Sequence, residues 1–324
     1  RTLRFKPADE IKPSPVRDAL DEAAVAEHLS ALVRCQTVSD PDEAKTNEAE
    51  FAKLEALLPQ LFPTVAATCE HEKIGTRGQV YRWKGKSPQN PLVLTAHYDV
   101  VPAKADDWQR DPFSGEIADG MICGRGTLDT KCTLSAALDA AESLMKQGFT
   151  PESDVWLCFA GDEEVMGHGA RDIVAMREKR GVKPLMVVDE GGAIVEKVFP
   201  GVKQACALIG VAEKGSANYR LTVHNDGGHS SAPPAHSAVD RLARACVRIH
   251  DKPFAFRVST PAQMLFNGLA RHSSALYRMI FANLWLFKPV LDLLCRKSGG
   301  ELNALLRTTI AFTMLSGSDV ANVL

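Results

Sequence analysis

The sequence has little of what marks several large protein classes. It has no run of about 18 apolar residues, so no segment is expected to cross a membrane as a helix. Its eight cysteines include no CxxC pair, which excludes zinc-ribbon and thioredoxin-like readings. Cys123, Cys132, Cys158 and Cys206 lie in or beside apolar segments and are expected to be mostly buried free thiols, with disulfides left open. No basic run or aromatic platform is present, and the formal net charge is -2, so nucleic acid is not an expected partner. Gly124 and Gly126 form a G-x-G before a helical pattern, but the fuller dinucleotide or P-loop fingerprint is missing. What remains is an ordinary soluble composition, 45% apolar and 24% charged, over 324 residues, which suits two domains or one large one. Residue 1 is Arg rather than Met, so an upstream signal or anchor is allowed for and the compartment stays open.

Residues 1–20 are polar and contain proline, and an extended arm is expected there. Apolar residues at helical spacing predict a helix from Asp21, as N-cap, to Val33. A loop over 36–47 is followed by a second helix from about Asn47 to Leu58, expected to stop near Pro59. Short strands are predicted at Val80–Trp83 and, after a turn at 85–90, at Leu92–Ala96. A strand pair is expected around 116–123, a helix over 133–147, a buried strand at 155–160 and a helix over 170–180. A fourth buried strand is predicted over Pro184–Val188. The short apolar runs suit a doubly wound α/β fold with a mostly parallel sheet, whose strand C-termini gather on one edge.

Those strand ends carry acids. Leu92–Ala96 delivers His97 and Asp99, which alternation puts on one face. Asp129 precedes a helix, Glu163 and Glu164 follow the 155–160 strand, and Asp189 and Glu190 follow the next. Adjacent acids in an apolar setting repel unless a cation is near. Oxygen-rich ligation with one or two histidines suits zinc, manganese or cobalt. An aspartate within H-x-D can hold the second ring nitrogen of a metal-bound histidine. A glutamate beside the ligands can take a proton from water.

The motifs T-A-H-Y-D-V-V-P, D-P-F-S-G, G-R-G-T-L-D-T-K, D-E-E-V and V-D-E-G-G, in this order across residues 20–240, resemble the dinuclear zinc peptidase family of aminoacylase, acetylornithine deacetylase and carboxypeptidase G. The D-E-G-G wording and R-T-L-R-F near the start are similar to its Gly-X carboxypeptidase and N-acyl amino acid hydrolase branch. The resemblance implies two zinc ions per subunit, with cobalt or manganese as alternatives. It implies that His97 ligates the first ion, Asp99 orients that histidine, and Asp129 bridges both ions. Glu163 is then the general base that deprotonates the attacking water, Glu164 ligates the second ion, and Glu190, rather than Asp189, completes the first. The family's last metal ligand is a histidine near its C-terminus. His250 and His272 do not match it, and it is expected beyond Leu324 in a chain truncated at the C-terminus.

The resemblance divides the chain into a catalytic domain, 1–213, and an incomplete lid and dimerisation domain of α+β sandwich type, 214–324. Strands are expected at 218–224 and 308–315 and an amphipathic helix over 238–249. His229, in G-G-H-S-S, matches the lid histidine that steadies the oxyanion, often in the partner subunit. Asn322, in A-N-V-L, matches the asparagine that contacts substrate. The apolar tract 264–297 is read as a packed helical insertion, with a membrane interface or acyl-chain surface as the alternative. The implied function is hydrolysis of an amide or peptide bond next to a free carboxylate, by a water activated between two metals, in a homodimer acting on small peptides or N-acyl amino acids. The alternatives are a small-substrate deacylase like acetylornithine deacetylase and a non-catalytic metal-binding relative.

Overall fold

The computed structural model describes residues 2–7, 20–298 and 300–324. Most of the arm expected over 1–20 lies outside the described residues. The chain forms two compact units, Ser14–Gly191 and Gly192–Leu324 with Arg1–Pro13, each as far as it is described. The division at Gly191/Gly192 falls earlier than the 213/214 boundary implied by the resemblance.

The first unit contains α1 (Glu22–Val33), α2 (Glu48–Leu61), α3 (Pro63–Thr68), β1 (Glu70–Ile74), β2 (Gly78–Trp83), β3 (Ser87–His97), β4 (Glu116–Ala118), β5 (Met121–Cys123), α4 (Lys131–Lys146), β6 (Ser153–Ala160), α5 (Gly169–Lys179) and β7 (Met186–Val188). Asp21 caps α1 by accepting from the amides of Ala23 and Ala24, and Asn47 caps α2 through the amide of Ala49. α2 does not stop at Pro59 but runs on to Leu61. Burial of Leu54 and Leu58 holds it on the core, and Pro59 removes only one donor in the last turns. The break comes at Pro63, the first residue of α3, where a missing N–H costs nothing.

The main sheet has the order β1-β2-β6-β3-β7. β6, β3 and β7 are parallel, while β2 pairs antiparallel with β1 and with β6. Strand alternation divides the side chains. Tyr81, Trp83, Ala96, Leu157 and Phe159 meet Leu32, Phe51, Leu54, Leu134 and Leu138 of the helices on one face. Val80, Val93, Trp156 and Cys158 meet Ile173 of α5 on the other. The three-layer α/β arrangement with a parallel centre is therefore present. The 85–90 turn is absorbed into β3, which changes register between Ser87 and Leu92. β4 and β5 form the expected hairpin, turning at Asp119 and Gly120 with φ of 54° and 75°.

β7 corrects one expectation. The strand expected to be buried is exposed at Met186, Val187 and Val188. It is the last strand of the sheet and pairs only with β3 among the described residues. An apolar run marks a strand, but burial also needs a layer on each face.

The second unit contains β8 (Ala193–Val195), β9 (Cys206–Leu208), α6 (Ala238–His250), α7 (Thr260–His272), α8 (Ala275–Ala282), α9 (Leu284–Ser298) and α10 (Gly300–Leu306). Its core gathers Phe256, Phe266, Leu269, Phe281, Leu291 and Leu306. The tract 264–297 lies largely in α7, α8 and α9, which bury Phe266, Leu269, Phe281 and Leu291 but leave Met264, Leu276, Trp285 and Leu286 exposed. The strands expected at 218–224 and 308–315 are absent among the described residues, where the backbone takes no regular form. Alternation specifies a face, but a strand exists only with a hydrogen-bonded neighbour, and neither segment has one here. All eight cysteines are free; Cys158 is buried, whereas Cys123, Cys132 and Cys206 are half-buried.

Candidate metal centre

The parallel centre of the sheet assembles the site. His97 of β3 lies beside Ala160 of β6, and Leu94 lies beside Val188 of β7. The residues following each strand therefore emerge at one edge: Asp99, then Glu163 and Glu164, then Asp189 and Glu190. Asp129 joins them from the turn before α4; the Asp129–Thr130 peptide is cis. The β6 turn is shaped by its glycines. A Cβ on Gly161 would meet the Tyr98 ring at 2.5 Å. Asp162 turns away from the cluster and accepts from the amides of His168, at 2.8 Å, and Gly169.

His97 is the hub and is only 2% exposed. Its Nε2 is 3.0 Å from Asp129 Oδ1, 3.1 Å from Glu190 Oε2 and 3.8 Å from Glu163 Oε2. Its Nδ1 faces Asp99, 3.0 Å from the backbone oxygen and 3.2 Å from Oδ1. Two groups bring potential ligand atoms within 4.8 Å of one another: His97, Asp129 and Glu164, and His97, Glu163 and Glu190. These were all singled out in the sequence. Asp189 is turned aside, its Oδ1 accepting from Thr95 Oγ1 at 2.5 Å.

Asp99 is fully buried and serves a different purpose from the other acids. Its carboxylate accepts from Ser39 Oγ at 2.7 Å and from the amides of Glu163 and Glu164, each at 3.1 Å. Burial works against its charge, but these bonds and His97 win, and its pKa lies below the ordinary carboxylate value. Burial likewise opposes a charged His97, yet Asp99, Glu190 and Glu163 raise it to about 10. Glu163, Glu164 and Glu190 are all raised, first by burial and then by repulsion from neighbouring carboxylates. Such a cluster favours a cation at its centre.

The residues fit a metal. Glu190 Oε2 is buried and makes no hydrogen bond, although it lies 3.1 Å from His97 Nε2. A buried carboxylate oxygen that accepts no hydrogen bond and faces an imidazole nitrogen suits a metal ligand. The donor set, one imidazole and several carboxylates, suits zinc, manganese or cobalt.

His229 and Asn322 lie in the second unit. Backbone pairing brings them together: His229 bridges Val323, and the amide of Ser230 donates to Asn322 O at 3.1 Å. His229 Nδ1 is 2.8 Å from Ser231 Oγ. His250 and His272 end α6 and α7, and neither belongs to a metal-capable group among the described residues.

Sequence reasoning missed two supports of the site. Ser39 sits in what reads as plain loop. Lys131, the last residue of G-R-G-T-L-D-T-K, is fully buried, and its Nζ donates to Leu32 O at 3.1 Å and Cys35 O at 2.6 Å. Burial lowers its pKa to about 8.

Comparison with known proteins agrees with the motifs. The family model for peptidase family M20/M25/M40 matches residues 93–276. The N-fatty-acyl-amino acid synthase/hydrolase PM20D1 of Xenopus tropicalis is 37% identical over 308 residues, 93% of this chain and 59% of that protein. The probable carboxypeptidase S-like 2 of Dictyostelium discoideum is 36% identical over 312 residues, 94% of this chain and 60% of its own length. Carboxypeptidase S of Saccharomyces cerevisiae is 30% identical over 325 residues, 92% of this chain and 55% of that protein. The chain thus spans somewhat over half the length of these relatives. With the family model covering more than half of the chain, and its residues including the His97 cluster, the chain belongs to peptidase family M20/M25/M40.

Proposed function

We propose that the chain provides the metal centre of a hydrolase that cleaves an amide or peptide bond next to a free carboxylate. The observation that carries this reading is the convergence of Asp129, Glu163 and Glu190 on one buried imidazole whose far side is held by Asp99. His97, Asp129, Glu164 and Glu190 would hold two zinc ions, with Asp129 shared. When bound, the metal polarises the scissile carbonyl and lowers the pKa of the attacking water.

The chain's own residues do the rest. Asp99 keeps His97 in one orientation and one tautomer. Glu163 takes a proton from the water and returns it to the leaving nitrogen. Its raised pKa, due first to burial, suits a group that must both accept and donate. Its backbone amide is tied to Asp99, so base and ligand shell share one anchor.

In this reading residues 214–324, which lie within the second unit, belong to a lid and dimerisation domain. His229 steadies the oxyanion of the tetrahedral intermediate, and Asn322 contacts the substrate. Their backbone pairing supports a joint role. The substrate classes are peptides with a free C-terminus and N-acyl amino acids; the relatives' names, probable carboxypeptidase and N-fatty-acyl-amino acid synthase/hydrolase, support them. A panel of dipeptides, acetyl amino acids and long-chain acyl amino acids tests this. Activity should vanish on chelation and return with zinc. Hydrolysis that is indifferent to chelator contradicts the reading.

A further inference from the structure

We propose that Ser39 is a positioning residue of the metal centre: its hydroxyl fixes the Asp99 carboxylate and, through it, both His97 and the Glu163–Glu164 turn. The proposal rests on the metal-centre reading above.

Asp99 has two oxygens and receives a donor on every side. Ser39 Oγ and the Glu164 amide reach Oδ2 at 2.7 and 3.1 Å. The Glu163 amide reaches Oδ1 at 3.1 Å, and His97 Nδ1 lies 3.2 Å from the same atom. The carboxylate thus joins three pieces of chain, the end of β3, the turn after β6 and the segment carrying Ser39. Two of these pieces bear metal ligands or the base. The third bears neither, so its contribution is to hold the carboxylate still.

The segment carrying Ser39 is itself fixed. Val38 bridges Val100 in parallel, the Val100 amide donates to Thr37 O at 2.9 Å, and the Ser39 amide donates to Val100 O at 3.3 Å. Lys131, two residues beyond Asp129, holds the carbonyl of Cys35. Ser39 is 7% exposed and Asp99 is fully buried, so bulk water is not at hand to replace a lost hydroxyl. Removing it leaves one lone pair of an ionised, buried carboxylate unsatisfied. Loss of such an outer partner loosens the ligand it orients, with a typical cost of about 10–100-fold in metal affinity or activity.

The test compares Ser39→Ala with Ser39→Thr, which keeps the hydroxyl, and with Ser30→Ala. Ser30 is also buried, but its hydroxyl donates to Gly115 O and not to the Asp99 carboxylate. Zinc affinity is measured by competition with a chromophoric chelator, alongside kcat, KM and thermal melting. Ser39→Ala should weaken zinc binding by roughly 10-fold or more and lower kcat with little change in KM. Ser39→Thr should restore most of both, and Ser30→Ala should change melting without changing zinc affinity. Zinc affinity and kcat of Ser39→Ala within twofold of wild type would overturn the proposal, as would equal losses in Ser39→Ala and Ser30→Ala. A wild-type protein that binds no zinc would overturn the functional reading and this proposal together.

Discussion

The two units differ in how their apolar residues are used. In Ser14–Gly191, five strands share one sheet, and helices cover both faces around Leu157, Phe159, Val93 and Trp156. In Gly192–Leu324, helices carry the core, while α9 buries Leu291 and Cys295 and exposes Trp285, Leu286, Val290 and Leu293. The first unit can hold acids at fixed positions because its parallel strands are locked in register. The second unit places His229 and Asn322 by a single bridge and a few backbone bonds. Precision in a site follows from the ladder behind it.

That contrast can be broken most sharply at the proposed ligands. His97→Ala should abolish hydrolysis and weaken zinc binding by more than the ~10–100-fold that loss of an outer partner causes. Next in size is the core: Leu157→Ala should cost about 2–5 kcal/mol in denaturant unfolding. Trp285→Ala, at a residue 70% exposed, should stay within about 0.5 kcal/mol. If the two substitutions cost the same, the contrast drawn here is wrong.

A smaller effect depends on pH. Glu142 of α4 caps α3 by accepting from the amides of Thr64 and Val65 at 3.1 and 2.8 Å. Burial opposes its charge, but those bonds, with help from Lys146, hold its pKa below the ordinary value. A folded pKa below the unfolded one stabilises fully above about pH 4.3 and is lost as pH falls through the folded value. Glu142→Gln should therefore cost about 1 kcal/mol at pH 7 and less in acid. A cost that is unchanged or larger in acid would contradict this. Smallest of all, amide exchange over 218–224 and 308–315 should be fast, while β3 and β6 are protected.

The first unit was legible because its signals are local and agree with each other. The apolar runs of β3 and β6, the caps Asp21 and Asn47, and acids placed just after strands each pointed to the observed element. Exposure was not legible: β7 has the composition of a buried strand, and only the sheet order shows it at the edge. Pro59 misled because burial of Leu54 and Leu58 overrides a local breaker. Ser39 gave no signal, and Lys131 stood inside a motif with no role of its own, since a loop serine and a helix-start lysine acquire meaning only through residues 60 and 96–99 positions away. In the second unit, alternation at 218–224 stood without the partner that makes a strand.

The most direct measurement is zinc content and hydrolysis of the wild type beside Glu163→Ala. The account predicts that both proteins bind the same amount of zinc and that turnover falls by about 10²–10⁴-fold in the variant. Loss of zinc together with activity would make Glu163 a ligand rather than the base, and activity retained at the wild-type level would remove it from the chemistry.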